Sequence, residues 1–241
     1  MNQSTISVII PALNEEENLE AAVQTVEKIV RRYFRDWEIL IFDDGSQDLT
    51  GVIADRLALT NSRTRVTHHH SAKNLGACYK EGLQQATKDY VIMIPGDNEC
   101  GAEVMEPVFA LAGKADMIIP YTKNGEVRPR GRRILSQVFV TLINTISGLK
   151  LEYYNGAVLH RTDLIKTFPI GTDGFGYQAE LLVRMVRRGC TYREVGTLIT
   201  YRPGGKSKAL RLNNIWKVCT FLLGLFMETR VRRQRLLPQH S

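Results

Sequence analysis

The chain has 241 residues, 44% of them hydrophobic and 24% charged, a balance that suits one large α/β domain or two small ones and excludes disordered and fibrous chains. Its formal charge of +7 is unevenly spread: residues 201–241 hold nine Lys and Arg against the single acid Glu228, leaving 23 basic and 24 acidic side chains in the 200 residues before them. A basic end on a neutral body points to an anionic partner, whether lipid headgroups, diphosphates or nucleic acid, among which charge alone does not choose.

Residues 6–10 read as a buried strand stopped at Pro11, and Leu19, Val23, Val26 and Val30 recur at helical spacing within 15–33. A second unit follows, with a strand over 37–42, a turn at Asp43-Asp44-Gly45-Ser46 and a helix over 48–59 opening on Asp48. A third has a strand over 64–68, a loop through Asn74-Leu75-Gly76 and a helix to about Thr87. A strand over 90–95 runs into Gly96-Asp97-Asn98-Glu99, and a fifth covers 116–120. This alternation predicts an α/β fold: a mostly parallel sheet with helices on both faces and ligands at the carboxyl ends of its strands.

After Tyr121 the rhythm breaks. A basic run with Arg128, Arg130, Arg132 and Arg133 feeds a helix over 134–149 whose Leu135, Val138, Leu142, Ile146 and Leu149 form one stripe, and residues 209–235 form a second basic amphipathic helix. Both fall short of the roughly 20 apolar residues that a membrane-spanning helix needs. The expected layout is one unit over 1–210, with the basic loop and amphipathic segment at 122–150, followed by a basic helix and tail over 211–241. Cys78, Cys100, Cys190 and Cys219 are scattered, with neither zinc-site nor disulfide spacing, and residues 1–5 carry no basic or apolar stretch of a secretory signal, so a reducing cytosol is the expected compartment.

Four polar clusters each follow a strand: Pro11-Ala12-Leu13-Asn14-Glu15, Asp43-Asp44-Gly45-Ser46, Lys73-Asn74-Leu75-Gly76 and Asp97-Asn98-Glu99. Carboxylates gathered at strand ends repel one another unless they hold donors or a cation. Asp97 and Glu99, two apart on an extended segment, would turn the same way and give Mg2+ or Mn2+ two hard oxygen ligands, free to hold a diphosphate as well. Residues 202–208, with Arg202, Lys206, Ser207, Lys208 and two glycines, read as a flexible anion clamp, without the spacing of a Walker A loop. His68-His69-His70 reads as a strand end or surface loop, because alternation sends neighbouring imidazoles to opposite faces. No nucleic-acid partner is expected, since the basic tail lacks interleaved aromatics and the sheet edge is acidic.

On these residues, with Gly174-Phe175-Gly176-Tyr177-Gln178-Ala179-Glu180, the sequence resembles family 2 glycosyltransferases of the GT-A fold, a Rossmann-like architecture. More narrowly it is similar to the dolichyl-phosphate mannose synthase and polyprenyl-phosphate glycosyltransferase branch, over residues 5–210. The resemblance implies an inverting hexosyltransferase using a GDP- or UDP-sugar. Pro11, Ala12, Leu13, Glu15 and Asp43 would line the nucleoside pocket, with Asp44, Asn74, Gly76 and Asn98 on the donor side. Asp97 and Glu99 would hold the metal, Glu99 standing where the family's motif usually has a second Asp. Arg202, Ser207 and Lys208 fall to the donor diphosphate, and Gln178 and Glu180 to the wall between sugar and acceptor.

Arg128, Arg130, Arg132 and Arg133 occupy the position of the family's acceptor loop. A lipid phosphate acceptor is already ionised and needs no strong base, so positioning and neutralisation of the leaving diphosphate by the metal, Arg202 and Lys208 would suffice. A hydroxyl acceptor needs a carboxylate base, for which Glu180 and Asp173 are the candidates. The amphipathic segments favour the lipid phosphate and a protein peripheral at the cytoplasmic face of a membrane, each cation adding about 1 kcal/mol at an anionic surface. Packing of both helices onto the domain or into a homo-oligomer stays open, as do a soluble hydroxyl acceptor and a non-catalytic sugar-nucleotide-binding protein.

Overall fold

The computed structural model describes residues 2–174 and 176–199. Arg202, Ser207, Lys208 and the helix expected over 209–235 therefore lie outside the described residues, as does Phe175.

Strands β1 (Asn2–Ala12), β2 (Phe34–Asp43), β3 (Thr64–His68) and β4 (Tyr90–Met93) run parallel, linked by helices α1 (Leu19–Tyr33), α2 (Thr50–Thr60) and α3 (Leu75–Gln85). After α4 (Ala102–Ala110), β5 (Met117–Thr122) leads through a short 3-10 turn at Gly125–Val127 into α5 (Arg130–Ser147). Strand β6 (Leu159–Arg161) lies antiparallel between β4 and β5, and after α6 (Thr162–Ile165) and α7 (Tyr177–Arg187), β7 (Tyr192–Thr197) pairs parallel to β5. Among the described residues the sheet order is β3-β2-β1-β4-β6-β5-β7.

Helices cover both faces, which is why β1 over 8–12 and β2 over 39–42 are continuously apolar rather than alternating with polar residues. Ile6, Val8 and Ile10 of β1 and Ile39 and Ile41 of β2 pack under α1, α2 and α4; Ile9, Leu40 and Phe42 pack under α3, α5 and α7. Each fully buried Ile or Leu stabilises the fold by roughly 1.5–3 kcal/mol relative to exposure.

Several boundaries differ from the sequence reading for local reasons. Pro11 does not stop β1, which runs on to Ala12; the ring has no N–H to give, but its carbonyl accepts from Gly96 N–H at 3.0 Å. Helix α1 begins at Leu19 because residues 13–18 are tied to the loop after β2. Helix α5 starts four residues before the expected 134, at Arg130 just after Pro129, and stops at Gly148, whose φ of +72° suits glycine. Strand β6 has three residues and exists through its two neighbours, so no run of its own announces it. Among the described residues no helix is long and apolar enough to cross a membrane.

The expected single stripe on α5 divides into two faces. Ile143 is fully buried, and Phe139, Val140, Ile146 and Leu149 pack beside it on the core, whereas Ile134, Leu135, Val138 and Leu142 are 58%, 44%, 49% and 43% exposed. A helix lying on a sheet buries about half its circumference, so an apolar residue on the far side is left in solvent.

Candidate active site

The loops after β1 and β2 are laced together at the carboxyl edge of the sheet. Ser46 Oγ accepts from Asn14 N–H at 3.0 Å, Asn14 Oδ1 from Gln47 N–H at 2.9 Å, Thr50 Oγ1 from Glu15 N–H at 2.8 Å and Glu16 Oε2 from Leu49 N–H at 2.9 Å. Ala12 O accepts from Asp44 N–H at 2.8 Å. Residues 12–16 and 44–50 are thus held against one another, with Ala12 opposite Asp43 in the strand register. Three asparagines, Asn14 after β1, Asn74 after β3 and Asn98 after β4, adopt positive φ of 55°, 78° and 56°, which asparagine tolerates better than most side chains.

Asp43 and Asp44 are both buried and face different partners. Asp43 Oδ1 accepts from Ser46 N–H at 3.0 Å, and its Oδ2 lies 3.0 Å from His68 Nδ1. Burial pushes the Asp43 carboxyl upward, but the hydrogen bonds from Ser46 and His68 outweigh it and hold the group below the usual range. Asp44 instead clasps the loop before α3, accepting from Lys73 N–H at 2.8 Å and Asn74 N–H at 3.0 Å and meeting His69 Nδ1 at 2.8 Å. His69 Nε2 continues to Glu81 at 2.9 Å. His68 is the exposed strand end expected, whereas His69 just beyond it is buried; alternation sends the two imidazoles opposite ways, and a carboxylate waits on each side.

The ligand atoms of Asp44, His69 and Cys78 lie within 4.8 Å of one another, all buried. Burial, with Asp44 adding to it, pushes the Cys78 thiol up to about 12, and the Asp44 oxygens already hold N–H donors. The cluster is a hydrogen-bonded buttress. Gly76 belongs to the same support, giving its N–H to Asp173 O at 2.9 Å, and a Cβ there would sit 2.6 Å from Thr172 O.

At the end of β4, Ile94 N–H bonds Ile9 O at 2.9 Å, so the segment stays beside β1 as far as Gly96, where a Cβ would lie 3.2 Å from that of Ala12. Asp97 follows at once. Its Oδ1 accepts from Glu99 N–H at 3.0 Å across Asn98, so residues 97–99 form a tight turn and not the extended segment expected. The reason is the left-handed backbone at Asn98, which reverses the chain; what relates Asp97 to Glu99 is turn geometry rather than strand alternation. Among the described residues no cation pairs with either carboxylate, and such hard oxygens suit Mg2+ or Mn2+.

Near the start of α7, Gln178 Nε2 lies 3.1 Å from Nε2 of the fully buried His160, whose imidazole burial pushes down to about 3 and keeps neutral. Glu180 is also buried, its Oε1 accepting from Gly171 N–H and its Oε2 from Thr172 N–H, both at 3.0 Å, while Arg184 Nη1 lies 2.6 Å from Oε1. With both oxygens engaged, Glu180 holds the 171–172 loop in place. Asp173 is exposed and paired with Lys80. His160 escaped the sequence reading because a lone histidine on a three-residue strand leaves no pattern. Arg128 is half-buried with Nη1 3.4 Å from Tyr153 Oη, Arg130 and Arg133 are exposed, and Arg132 is half-buried; among the described residues none of the four pairs with a carboxylate.

The model of the glycosyl transferase family 2 matches residues 7–172. The polyprenol monophosphomannose synthase of Mycolicibacterium smegmatis is 31% identical over 217 residues, spanning 83% of this chain and 79% of its own. The undecaprenyl-phosphate mannosyltransferase of Micrococcus luteus is 25% identical over 214 residues, 84% of this chain and 86% of its own. Among solved structures, glucosyl-3-phosphoglycerate synthase from Mycobacterium tuberculosis in complex with Mg2+ and UDP matches with a TM-score of 0.67 over 94% of this chain and 79% of that one, at 17% identity, a likeness of fold.

Proposed function

The chain belongs to glycosyl transferase family 2, with the GT-A fold, and from that premise we propose that it moves a hexosyl group from a nucleoside-diphosphate sugar to a polyprenyl phosphate at a membrane surface. The observation that carries the reading is the convergence of the β1, β2 and β4 ends on one edge of the sheet, with Asp43 oriented by Ser46 and His68 and with Gly96, the residue before Asp97, against Pro11 and Ala12. Pro11, Ala12, Leu13, Glu15 and Asp43 line the nucleoside pocket in this reading, and Asp97 and Glu99 are the residues that hold Mg2+ or Mn2+. When bound, the cation supplies charge neutralisation of the diphosphate. Arg202, Ser207 and Lys208 close on the same diphosphate.

The acceptor phosphate oxygen attacks the anomeric carbon with its own electron pair, the bond from that carbon to the donor's diphosphate breaks, and the nucleoside diphosphate leaves. No proton has to move, which agrees with a site where both Glu180 oxygens are engaged. Names of the relatives support the lipid phosphate acceptor. So does α5, whose exposed Ile134, Leu135, Val138 and Leu142 follow Arg128, Arg130, Arg132 and Arg133, an arrangement suited to a helix lying among anionic headgroups. In this arrangement residues 1–210 form the catalytic unit, 211–241 a basic appendage to it, and the enzyme sits on the cytoplasmic leaflet.

The test has two arms. Thermal shift with GDP, UDP, CDP and dTDP, each with and without Mn2+ or Mg2+, reads donor binding; a true ligand at a hundredfold excess over Kd adds about 2.7 kcal/mol. A metal-dependent shift with one nucleotide, lost in Asp97→Ala, is expected. Transfer of labelled hexose to polyprenyl phosphate in anionic vesicles, against 3-phosphoglycerate as a soluble hydroxyl acceptor, then reads the acceptor. Labelling of the soluble acceptor alone would overturn the lipid assignment, and no nucleotide shift at all would overturn the donor site.

A further inference from the structure

His68 is absent from the motifs that identify the family, yet it touches Asp43. Asp43 ends β2 and His68 ends β3, and the two stand side by side in the parallel register. Both imidazole nitrogens meet carboxylates, Nδ1 with Asp43 Oδ2 and Nε2 with Asp55 Oδ1, each at 3.0 Å. A neutral imidazole has one N–H and serves one of these; only the imidazolium donates to both. The surroundings are shaped for the pair. Gly51, in the first turn of α2, is where a Cβ would sit 2.8 Å from Asp43 Oδ2 and 3.5 Å from the His68 ring. Glycine is a poor helix former, so its presence there marks a contact that leaves no room for a side chain.

We propose that His68 is a positioning residue for donor recognition: as the imidazolium bridging Asp43 and Asp55, it fixes the direction of the Asp43 carboxylate, so that affinity for the nucleoside follows the protonation of His68. This rests on the reading of Asp43 as a nucleoside-pocket residue. With Oδ1 on Ser46 N–H, a further bond to the Ser46 side chain and Oδ2 on His68, the carboxylate cannot rotate without breaking a bond, and it keeps acceptor capacity for one base N–H or ribose hydroxyl. Loss of the proton leaves two carboxylates competing for one N–H, and Asp43 is no longer locked.

The charged groups that bear on the ring are Asp43 from β2 and Asp55 from α2, and their hydrogen bonds raise the imidazole above its ordinary 6.5, outweighing partial burial. Asp43 itself is held below its ordinary 3.8. The lock is therefore complete in mildly acid solution and is lost as pH rises through the raised His68 value.

Isothermal titration of the full-length protein with GDP-mannose and UDP-glucose, from pH 5.5 to 9 with Mg2+, tests this. The diphosphates of both ligands stay ionised throughout, and their base N–H groups begin to lose the proton only near the top of the window, so the profile is read below about pH 8.5. For the sugar nucleotide that binds, the wild-type Kd is expected to rise about three- to tenfold across the window, a modest effect because the bridge is partly exposed. His68→Gln should bind at the weak end with a flat profile, raising KM for the donor while kcat holds. Asp55→Asn should move the transition to lower pH, and the His68 ring resonances in NMR should titrate lower with it. A His68→Gln protein with the wild-type profile, while Asp43→Asn is weakened, overturns this inference alone. Wild-type affinity in Asp43→Asn overturns the pocket reading, and failure of the wild type to bind either ligand at any pH overturns both.

Discussion

Glu180→Gln separates a structural clamp from a catalytic base at the same residue. The substitution keeps the shape and removes the charge. In the wild type the carboxylate takes the Gly171 and Thr172 N–H groups at 3.0 Å each and pairs with Arg184 at 2.6 Å, with the two side chains only 7% and 19% exposed. An amide oxygen can keep one backbone N–H, but the NH2 must then face the other. The loss is about one charge-assisted hydrogen bond, 1.5–3 kcal/mol, plus part of the ion pair. Arg184 keeps Pro169 O at 2.5 Å, which softens the second loss. The sum is about 2–4 kcal/mol, and at about 2–4 °C per kcal/mol for a protein of this size the Tm should fall by about 5–15 °C.

Urea denaturation reads the stability, and turnover against pH at a temperature where the variant is folded reads the chemistry. The clamp predicts a large stability loss, a moderate fall in kcat/KM through the displaced 171–174 loop, and an unchanged pH profile. A variant with wild-type Tm and a hundredfold or greater loss of kcat would refute it and return Glu180 to the reaction.

Gly76→Ala should destabilise by about 1–3 kcal/mol through overpacking, because its Cβ would meet the Thr172 and Asp173 backbone at 2.6 Å; the urea midpoint reads it. Gly45→Ala should do the same, with φ at +80° and Ser71 backbone 2.8 Å from the new Cβ. Stability should be highest near neutrality. Glu38, Asp43, Asp48 and Glu81 are held low in the fold, so their contribution is present above their ordinary 3.8 or 4.5 and is lost as pH falls through the folded values. His160, pushed down to about 3, acts the same way, since below 6.5 the unfolded chain takes up a proton that the fold refuses. His68, raised, loses its contribution as pH climbs; urea midpoints from pH 3 to 9 should trace the dome. Serine at Ile134, Leu135, Val138 and Leu142 should leave the unfolding free energy within about 0.5 kcal/mol per site and weaken flotation with anionic vesicles, because these side chains are exposed.

Much of the sheet edge was legible because its determinants are local. Strands announce themselves as apolar runs, and in a βα unit the residues just past the run are at the ligand edge whatever the rest of the chain does. That logic located Asp43, Asp97 and the β1 loop from residues 1–120. It lost its hold beyond Tyr121, where β6 has only three residues and is defined by the two strands it joins.

Sequence by itself determined the α/β class, the carboxyl-edge loops and the kinship to a transferase family, because periodicity and motif are properties of neighbours along the chain. Tertiary structure alone decided what each polar group is free to do. Asp43 and Asp44 are adjacent letters, yet one is aimed by His68 and the other clasps residues 73 and 74. Glu180 looks like a base until Gly171, Thr172 and Arg184 take its oxygens. A carboxylate's role depends on which donors reach its lone pairs, and those donors come from segments brought together only when the sheet and its helices close around a common core.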